Sequence, residues 1–293
     1  MTWTIVALYR FVAIPDLPAL RAHLFDFAKA RDIYGTLLLA GEGINGTVAG
    51  TQGAITDLVD ELDRTLGVRQ GEVKFSTADA RPFARLKVRI RPEIITMRAP
   101  EADPTKQVGT YVEPKDWNAL LADPDVVVID TRNRYETRVG TFETAVDPEI
   151  DSFTEFKSFV HEKLDPTRQP KVAMFCTGGI RCEKASSFML AHGFSEVFHL
   201  KGGILQYLED VPASESRWQG ECYVFDSRTA VGHELEQTAQ WGRCFGCGEP
   251  VTVEEQADSA YEPGVSCPHC IDRLTPERAY ALRMRQSQMT QGK

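Results

Sequence analysis

The sequence predicts a multi-domain α/β protein, and three observations carry that reading. Strand-like and helix-like patterns alternate through the first hundred residues. Two later runs, Val126-Val127-Val128-Ile129 and Val172-Ala173-Met174-Phe175, are continuously apolar, and the last quarter gathers four of the seven cysteines into two C-x-x-C pairs. Alternating periods of about 2 and 3.6 residues mark a sheet covered by helices, and continuous apolar runs mark parallel strands buried on both faces. A length of 293 residues accommodates two or three such units. With 42% hydrophobic and 26% charged residues the composition is that of a globular chain, and no apolar stretch approaches the roughly 20 residues of a membrane span. The start, Met1-Thr2-Trp3-Thr4-Ile5-Val6, lacks the basic and long apolar segments of a secretion signal, so the cytoplasm is the expected compartment.

The first domain is expected over residues 1–98. Residues 4–9 read as a strand, and 16–31 as a helix with Leu17, Leu20, Leu24 and Phe27 at helical spacing. Residues 36–40 and 46–49 are the next two strands, with Gly41-Glu42-Gly43-Ile44-Asn45 as their hairpin connection. The glycines suggest a phosphate loop, but the lysine and the following helix that such a loop needs are missing. The segment reads as a tight turn, with Asn45 and exposed amides as the alternative contacts for a nucleotide. A second helix carries Ile55, Leu58, Val59, Leu62 and Leu66 on one face; strands at 72–76 and 86–90 complete the β-α-β-β-α-β order of a ferredoxin-like fold.

The net charge of −9 argues against a chain that coats nucleic acid indiscriminately, but the charges are unevenly spread. Arg81, Arg85, Lys87, Arg89, Arg91 and Arg98 stand against a single acid, Glu93. Such a stripe is either a track for a phosphate backbone or a solvated strand face.

Residues 99–117, with Pro100, Pro104 and Pro114 among polar residues, are expected to be a linker, and a second domain to occupy 118–218. Its most informative stretch runs from Val172 to Lys184: an apolar strand empties into Cys176-Thr177-Gly178-Gly179-Ile180-Arg181 and turns at once into a helix. Successive loop amides, the positive end of the helix and the Arg181 guanidinium all favour an anionic sulfur, lowering the pKa of Cys176 below the free value of roughly 8.5. Cys176 is therefore the candidate nucleophile, Arg181 its anion-stabilising partner, and Thr177, Gly178, Gly179 and Ile180 the active loop; a buried structural cysteine is the alternative. Cys182, six positions on, is either a resolving thiol for a sulfenic acid or persulfide, or a packing residue.

Residues 219–293 form the cysteine-rich region. Cys244, Cys247, Cys267 and Cys270, two C-x-x-C pairs nineteen residues apart, have the spacing of a four-cysteine zinc site. Four thiolates close the coordination shell, which makes the metal structural; redox-active pairs or two disulfides are the alternatives, and His269 is a substitute ligand. Cys222 reads as an isolated buried thiol, and Arg273, Arg278, Arg283 and Arg285 as further phosphate contacts on a basic tail helix.

The C-x4-R loop from Cys176 to Arg181 is one residue shorter than the C-x5-R loop of cysteine phosphatases. It resembles the rhodanese superfamily, whose cysteine usually carries a persulfide. The resemblance extends over roughly residues 118–218. Asp130, Arg132 and Glu136 match positions that brace the domain by ion pairing, Lys201-Gly202-Gly203-Ile204 matches the closing turn, and Thr141 stands where a histidine is usual. Nearly the whole chain resembles the bacterial tRNA uridine-34 hydroxylase family, most specifically in Gly41-Glu42-Gly43-Ile44-Asn45-Gly46-Thr47, Cys176 through Ala185, His199 through Ile204, and Gly264-Val265-Ser266-Cys267-Pro268-His269-Cys270. That resemblance implies a tRNA modification enzyme, an oxidoreductase converting the wobble uridine to 5-hydroxyuridine, with molecular oxygen as cosubstrate, the tRNA anticodon region as partner and an unidentified electron donor. No flavin, haem or NAD fingerprint is visible, and the six histidines show no facial-triad spacing. Two rivals stand beside it: a sulfurtransferase passing a persulfide from Cys176 to a tRNA or small thiol, and a non-catalytic zinc-bearing tRNA-binding protein.

Overall fold

Side-chain alternation in the first strand decides which face of the first sheet is covered. The computed structural model describes residues 2–226 and 228–291. The amino-terminal unit contains β1 (Trp3–Phe11), α1 (Leu17–Lys29), β2 (Tyr34–Ala40), β3 (Gly43–Gly50), α2 (Gln52–Leu66), β4 (Glu72–Ala78) and β5 (Leu86–Ile90). Val6 and Leu8 of β1 pack with Leu37, Leu39 and Val48 against Leu24 and Ala28 of α1 and Ile55, Leu58 and Leu62 of α2. Successive strand residues point to opposite faces, so Ile5, Ala7 and Tyr9 look away from the helices. Both helices start on side-chain caps, Asp16 accepting from the Ala19 N–H and Thr51 from that of Ala54; α2 stops at Gly67, whose φ of 62° suits glycine.

The sheet order is β4-β1-β3-β2-β5. β4 already closes the expected β-α-β-β-α-β order, and β5 adds a fifth strand, parallel to β2 at the edge. The hairpin connection is shorter than expected. Only Gly41 and Glu42 lie between β2 and β3, and Asn45 falls within β3, its side-chain amide donating to the Ile94 carbonyl at 3.0 Å.

The stretch 99–117, expected as a linker, carries β6 (Thr110–Val112) and the start of α3 (Pro114–Ala122). Pro114 takes an opening position of α3, where its missing N–H has no helical partner to lose. The second unit continues with β7 (Val127–Asp130), α4 (Arg134–Thr137), β8 (Gly140–Phe142), α5 (Phe156–Lys163), β9 (Lys171–Phe175), α6 (Ile180–Ala191), β10 (Glu196–Leu200) and α7 (Gly203–Asp210). Its parallel sheet has the order β6-β10-β9-β7. Val172 and Met174 pack with Phe156, Val160, Phe188 and Met189 on one face, while Ala173 and Phe175 pack with Trp117, Leu121, Tyr207 and Leu208 on the other. Helices α5 and α6 thus cover one face and α3 and α7 the other, which is why β9 is apolar throughout.

The remaining elements are short apart from the last helix: β11 (Trp218–Gly220), β12 (Cys222–Tyr223), β13 (Ala230–Val231), β14 (Trp241–Arg243), β15 (Pro250–Thr252), α8 (Val253–Gln256) and the 16-residue α9 (Pro276–Gln291). β11 pairs with β8, fastening the cysteine-rich region to the second unit. Among the described residues no helix is long and apolar enough to cross a membrane.

The two larger units are clamped together by one buried cation. Lys184 of α6 is 2% exposed, and its Nζ lies 2.9 Å from both Glu42 carboxylate oxygens, 2.6 Å from Glu93 and 3.0 Å from the Ile95 carbonyl. Glu42, at the tip of the glycine-rich hairpin, also accepts the Ile94 N–H at 2.8 Å. The hairpin therefore holds the second unit in place.

Candidate active site and sulfur knuckle

Cys176 follows β9 directly, and the chain must bend at once to start α6. Gly179, at φ 101°, makes the bend and aims its N–H at the Cys176 sulfur, 3.1 Å away. From below, the amides of Ile204 and Leu205 at the start of α7 bond the carbonyls of Cys176 and Thr177 at 2.9 and 3.1 Å. This close approach requires glycine at 203, where a Cβ would lie 2.5 Å from the Cys176 carbonyl oxygen. Burial opposes ionisation of Cys176, but a hydrogen bond from the Cys182 thiol, the charge of Arg181 and the loop amides overcome it, bringing the pKa down to about 6. Burial and the neighbouring Cys176 sulfur push Cys182 well above the ordinary thiol range, so Cys182 is the donor of the pair.

The charges beneath the loop pair differently from the expected brace. Arg181 forms a two-pronged ion pair with Glu136, both contacts 2.6 Å, while Arg132 pairs with Asp130 at 2.6 Å, both of its members fully buried. Burial works against the Glu136 carboxylate, yet Arg181 holds it below its usual range. Thr141, standing in for the usual histidine, contributes a hydroxyl that donates to Asp130 at 3.0 Å. Cys222 is fully buried, and burial raises its thiol to about 12.

Although Cys176 is 1% exposed, its side opposite the sheet opens on a cavity of about 500 Å³. That volume falls within the range of small-molecule and cofactor pockets. The loop forms its floor, and the helix-free face of the amino-terminal sheet forms its roof, with Tyr9, Asn45, Thr47 and Lys74. Phe75 and Phe225, 54% and 53% exposed, also line it. Tyr9 donates to Glu183 at 2.8 Å, and its hydroxyl lies 2.8 Å from where a Cβ on Gly179 would sit, so the two units touch at the loop itself. Burial raises Glu183 above the usual carboxylate range despite hydrogen bonds from Tyr9 and Tyr111.

Strand register connects this roof to the basic stripe. One row of partners runs Glu72, Tyr9, Asn45, Leu38, Arg89, and the next runs Lys74, Ala7, Thr47, Thr36, Lys87. Lys87 and Arg89 therefore share the cavity face of the sheet, while Val88 turns into the helix-covered core. Arg85 and Arg91 are exposed at the two ends of β5, and the Arg81 guanidinium lies 4.9 Å over the Tyr34 ring. Arg98 leaves the stripe: its backbone N–H bonds Glu93, and its carbonyl accepts from Lys157. Of the tail arginines, Arg283 pairs with Glu262 at 2.6 Å, Arg285 bonds the Phe245 carbonyl at 2.6 Å, and Arg273 bonds the His269 carbonyl at 3.0 Å.

The sulfurs of Cys244, Cys247, Cys267 and Cys270 all lie within 4.8 Å of one another. Neighbouring pairs are separated by 4.0, 3.8 and 3.7 Å, far beyond a disulfide bond of about 2.05 Å. Tetrahedral zinc with Zn–S distances of about 2.3 Å places its sulfurs about 3.8 Å apart, so the donor set fits such an ion. The His269 ring nitrogens instead meet Arg138 at 3.3 Å and Glu255 at 2.7 Å.

Comparison with known proteins matches two segments of the chain. Residues 3–94 match the UPF0176 acylphosphatase like domain, and residues 113–210 the Rhodanese-like domain. A tRNA uridine(34) hydroxylase from Picosynechococcus sp. is 50% identical over 291 residues, covering 99% of this chain and 97% of its own. A protein of the same name from Deinococcus radiodurans is 53% identical over 284 residues, 97% of this chain and 94% of its own. The chain belongs to the tRNA uridine(34) hydroxylase family. Family membership fits the joint architecture, in which an acylphosphatase-like sheet roofs a rhodanese loop.

Several residues of the cavity and of the contact between the two units escape a sequence reading of this family member. Tyr9, Lys74 and Phe75 carry no motif, and Glu183 and Lys184 look like the surface residues of a helix. The available signal is indirect: Ile5, Ala7 and Tyr9 form an apolar set on the face of β1 that α1 and α2 leave uncovered.

Proposed function

We propose that this protein hydroxylates C5 of the wobble uridine of tRNA, with Cys176 as the nucleophile. The observation that carries this reading is a thiolate-favouring sulfur, 3.1 Å from the Gly179 N–H, facing a cavity roofed by a second domain. The overall change inserts one atom of molecular oxygen into the C5–H bond and releases the other as water, consuming two electrons and two protons from an external reductant. The thiolate adds to C6 of the uracil ring, which makes C5 an enolate-type carbon. That carbon takes the hydroxyl from oxygen reduced to the peroxide level; loss of the C5 proton and departure of the thiolate then restore the ring. Arg181 and the loop amides stabilise the sulfur anion before addition and after departure. Cys182 serves as the proton donor beneath it and as the resolving thiol if Cys176 is oxidised.

The tRNA is read at its anticodon, whose unpaired bases are suited to insertion and stacking. Phe75 and Phe225 are the stacking surfaces, and Arg81, Arg85, Lys87, Arg89 and Arg91 hold the backbone along the cavity face of the sheet. Zinc held by Cys244, Cys247, Cys267 and Cys270 supports the tail structurally, and the protein works in the cytoplasm, where those thiols stay reduced. Nucleoside mass spectrometry of tRNA treated with Cys176→Ala tests the proposal. The variant is expected to bind tRNA and form no 5-hydroxyuridine; formation at the normal rate overturns it.

A further inference from the structure

Beside the Cys176 cavity, a cleft of about 340 Å³ opens between the second unit and the cysteine knuckle, lined by Arg134, Arg138, Arg243 and Arg273. The two spaces share Tyr135 and Phe225 as a common wall. Arg138 and Arg273 are already engaged, each reaching Glu249, at 3.4 and 3.5 Å, and each bonding a backbone carbonyl. Arg134 and Arg243 donate only to the carbonyls of Glu149 and Gly248, and neither forms an ion pair among the described residues. A guanidinium has five N–H donors, so both retain donors for an anion from outside. The acids on the wall do not consume that capacity. Glu249 is shared by Arg138 and Arg273, Asp151 is exposed, and Cys247 is the one knuckle ligand that reaches the cleft.

We infer that this cleft seats a backbone phosphodiester of the substrate RNA, adjacent to the nucleotide whose base enters the Cys176 cavity. The inference rests on the tRNA reading above and deepens it. Arginine pairs with phosphate oxygens in a two-pronged geometry, and the pairing is strongest where the donors are fixed by other bonds, as the carbonyl contacts of Arg134 and Arg243 fix theirs. The half-exposed Phe225 ring stands between a base-sized cavity and a cationic cleft. That succession of cavity, ring and guanidinium is how single-stranded nucleic acid is tracked: one group for a base, one for a stack, one for the backbone. Because the cleft lies on the knuckle side of the cavity and the β5 stripe on the sheet side, the RNA chain is held on both flanks of the inserted base.

The test uses the full-length protein, purified without chelator, and an anticodon stem-loop RNA bearing uridine at the wobble position. Neutral methylphosphonate linkages are placed one at a time around that nucleotide, and affinity is measured against salt. With the wild-type protein, one neutral linkage is expected to weaken binding about tenfold and to reduce the salt slope by about 0.7. With the Arg134→Gln/Arg243→Gln protein the same linkage should cause no further loss. Equal losses in the two proteins, or no sensitive linkage in the wild type, overturn the assignment. If the double variant does not fold, Arg134→Lys replaces it; it must then weaken binding to unmodified RNA more than to the neutral-linkage RNA, and equal weakening overturns the assignment. Failure of the underlying tRNA reading looks different, since the wild-type protein would then show no affinity for the RNA at all, which overturns both. Intact hydroxylation with equal losses removes the cleft alone from RNA binding and points to an acidic protein partner there.

Discussion

Replacing Lys184 with methionine tests whether the clamp between the two units matters. Its ammonium makes four contacts, two to Glu42, one to Glu93 and one to the Ile95 carbonyl, all at 2.6–3.0 Å. Lys184→Met leaves two carboxylates and a carbonyl around an uncharged thioether. Removing one partner of a buried ion pair costs about 3–5 kcal/mol. Glu42 and Glu93 keep 22% and 19% of their side-chain exposure, so water recovers part of that cost. The lower end, about 3 kcal/mol, is expected, which is a fall in Tm of about 6–12 °C at 2–4 °C per kcal/mol. The pH dependence follows in sign. Burial opposes the charge of Glu93, but Lys184 and the Met97 and Arg98 amides hold its pKa below the usual carboxylate range. Its contribution is present at neutral pH and is lost as pH falls through that lowered value. Without Lys184 the acid-side loss should shrink. Lys184→Met/Glu42→Gln/Glu93→Gln should recover at least half the stability, because replacing both sides of a buried pair is far cheaper than stranding one. Thermal unfolding of the full chain, with 5-hydroxyuridine formation followed in parallel, is the assay. A loss below about 1 kcal/mol, or no recovery in the triple variant, would refute the clamp.

Three further outcomes are expected. Iodoacetamide should modify Cys176 with a midpoint near pH 6, the thiolate being the reactive form above it; peptide-level mass spectrometry showing a midpoint above 8 contradicts the activated sulfur. Phe75→Ala and Phe225→Ala should each raise the KM for tRNA by about 5- to 150-fold with kcat little changed, as stacking energies of about 1–3 kcal/mol require, and an unaltered KM removes them from substrate binding. Metal analysis should find one zinc per chain, lost in Cys267→Ser together with protease resistance between residues 219 and 291. Four freely alkylated thiols in the untreated protein would argue against a metal knuckle.

What the sequence made legible is what the chain keeps local. Strand, thiol, glycine bend and helix are consecutive around Cys176, and each C-x-x-C pair is a single turn, so their geometry follows from spacing alone. The roof of the cavity is not local: Tyr9 reaches Glu183 across 174 positions, and Lys184 reaches Glu42 across 142. No periodicity encodes such pairings. A residue such as Glu42, on a two-residue turn, looks solvated until the second unit arrives. β6 escaped for another reason. Its three residues are too few to show alternation, and the prolines around it read as a linker. The partners of the tail arginines were equally invisible to charge counting: Arg283 and Arg285 bond groups within their own region.

The order of synthesis gives the roof a further consequence. The amino-terminal sheet emerges from the ribosome before the loop, and domains generally fold as units in that order. A low-pKa thiolate is open to oxidants wherever it is accessible. Here the sheet that roofs the reactive sulfur is made before it, so once the loop folds the sulfur faces a cavity between two units rather than an open surface, and only molecules that fit that cavity reach it.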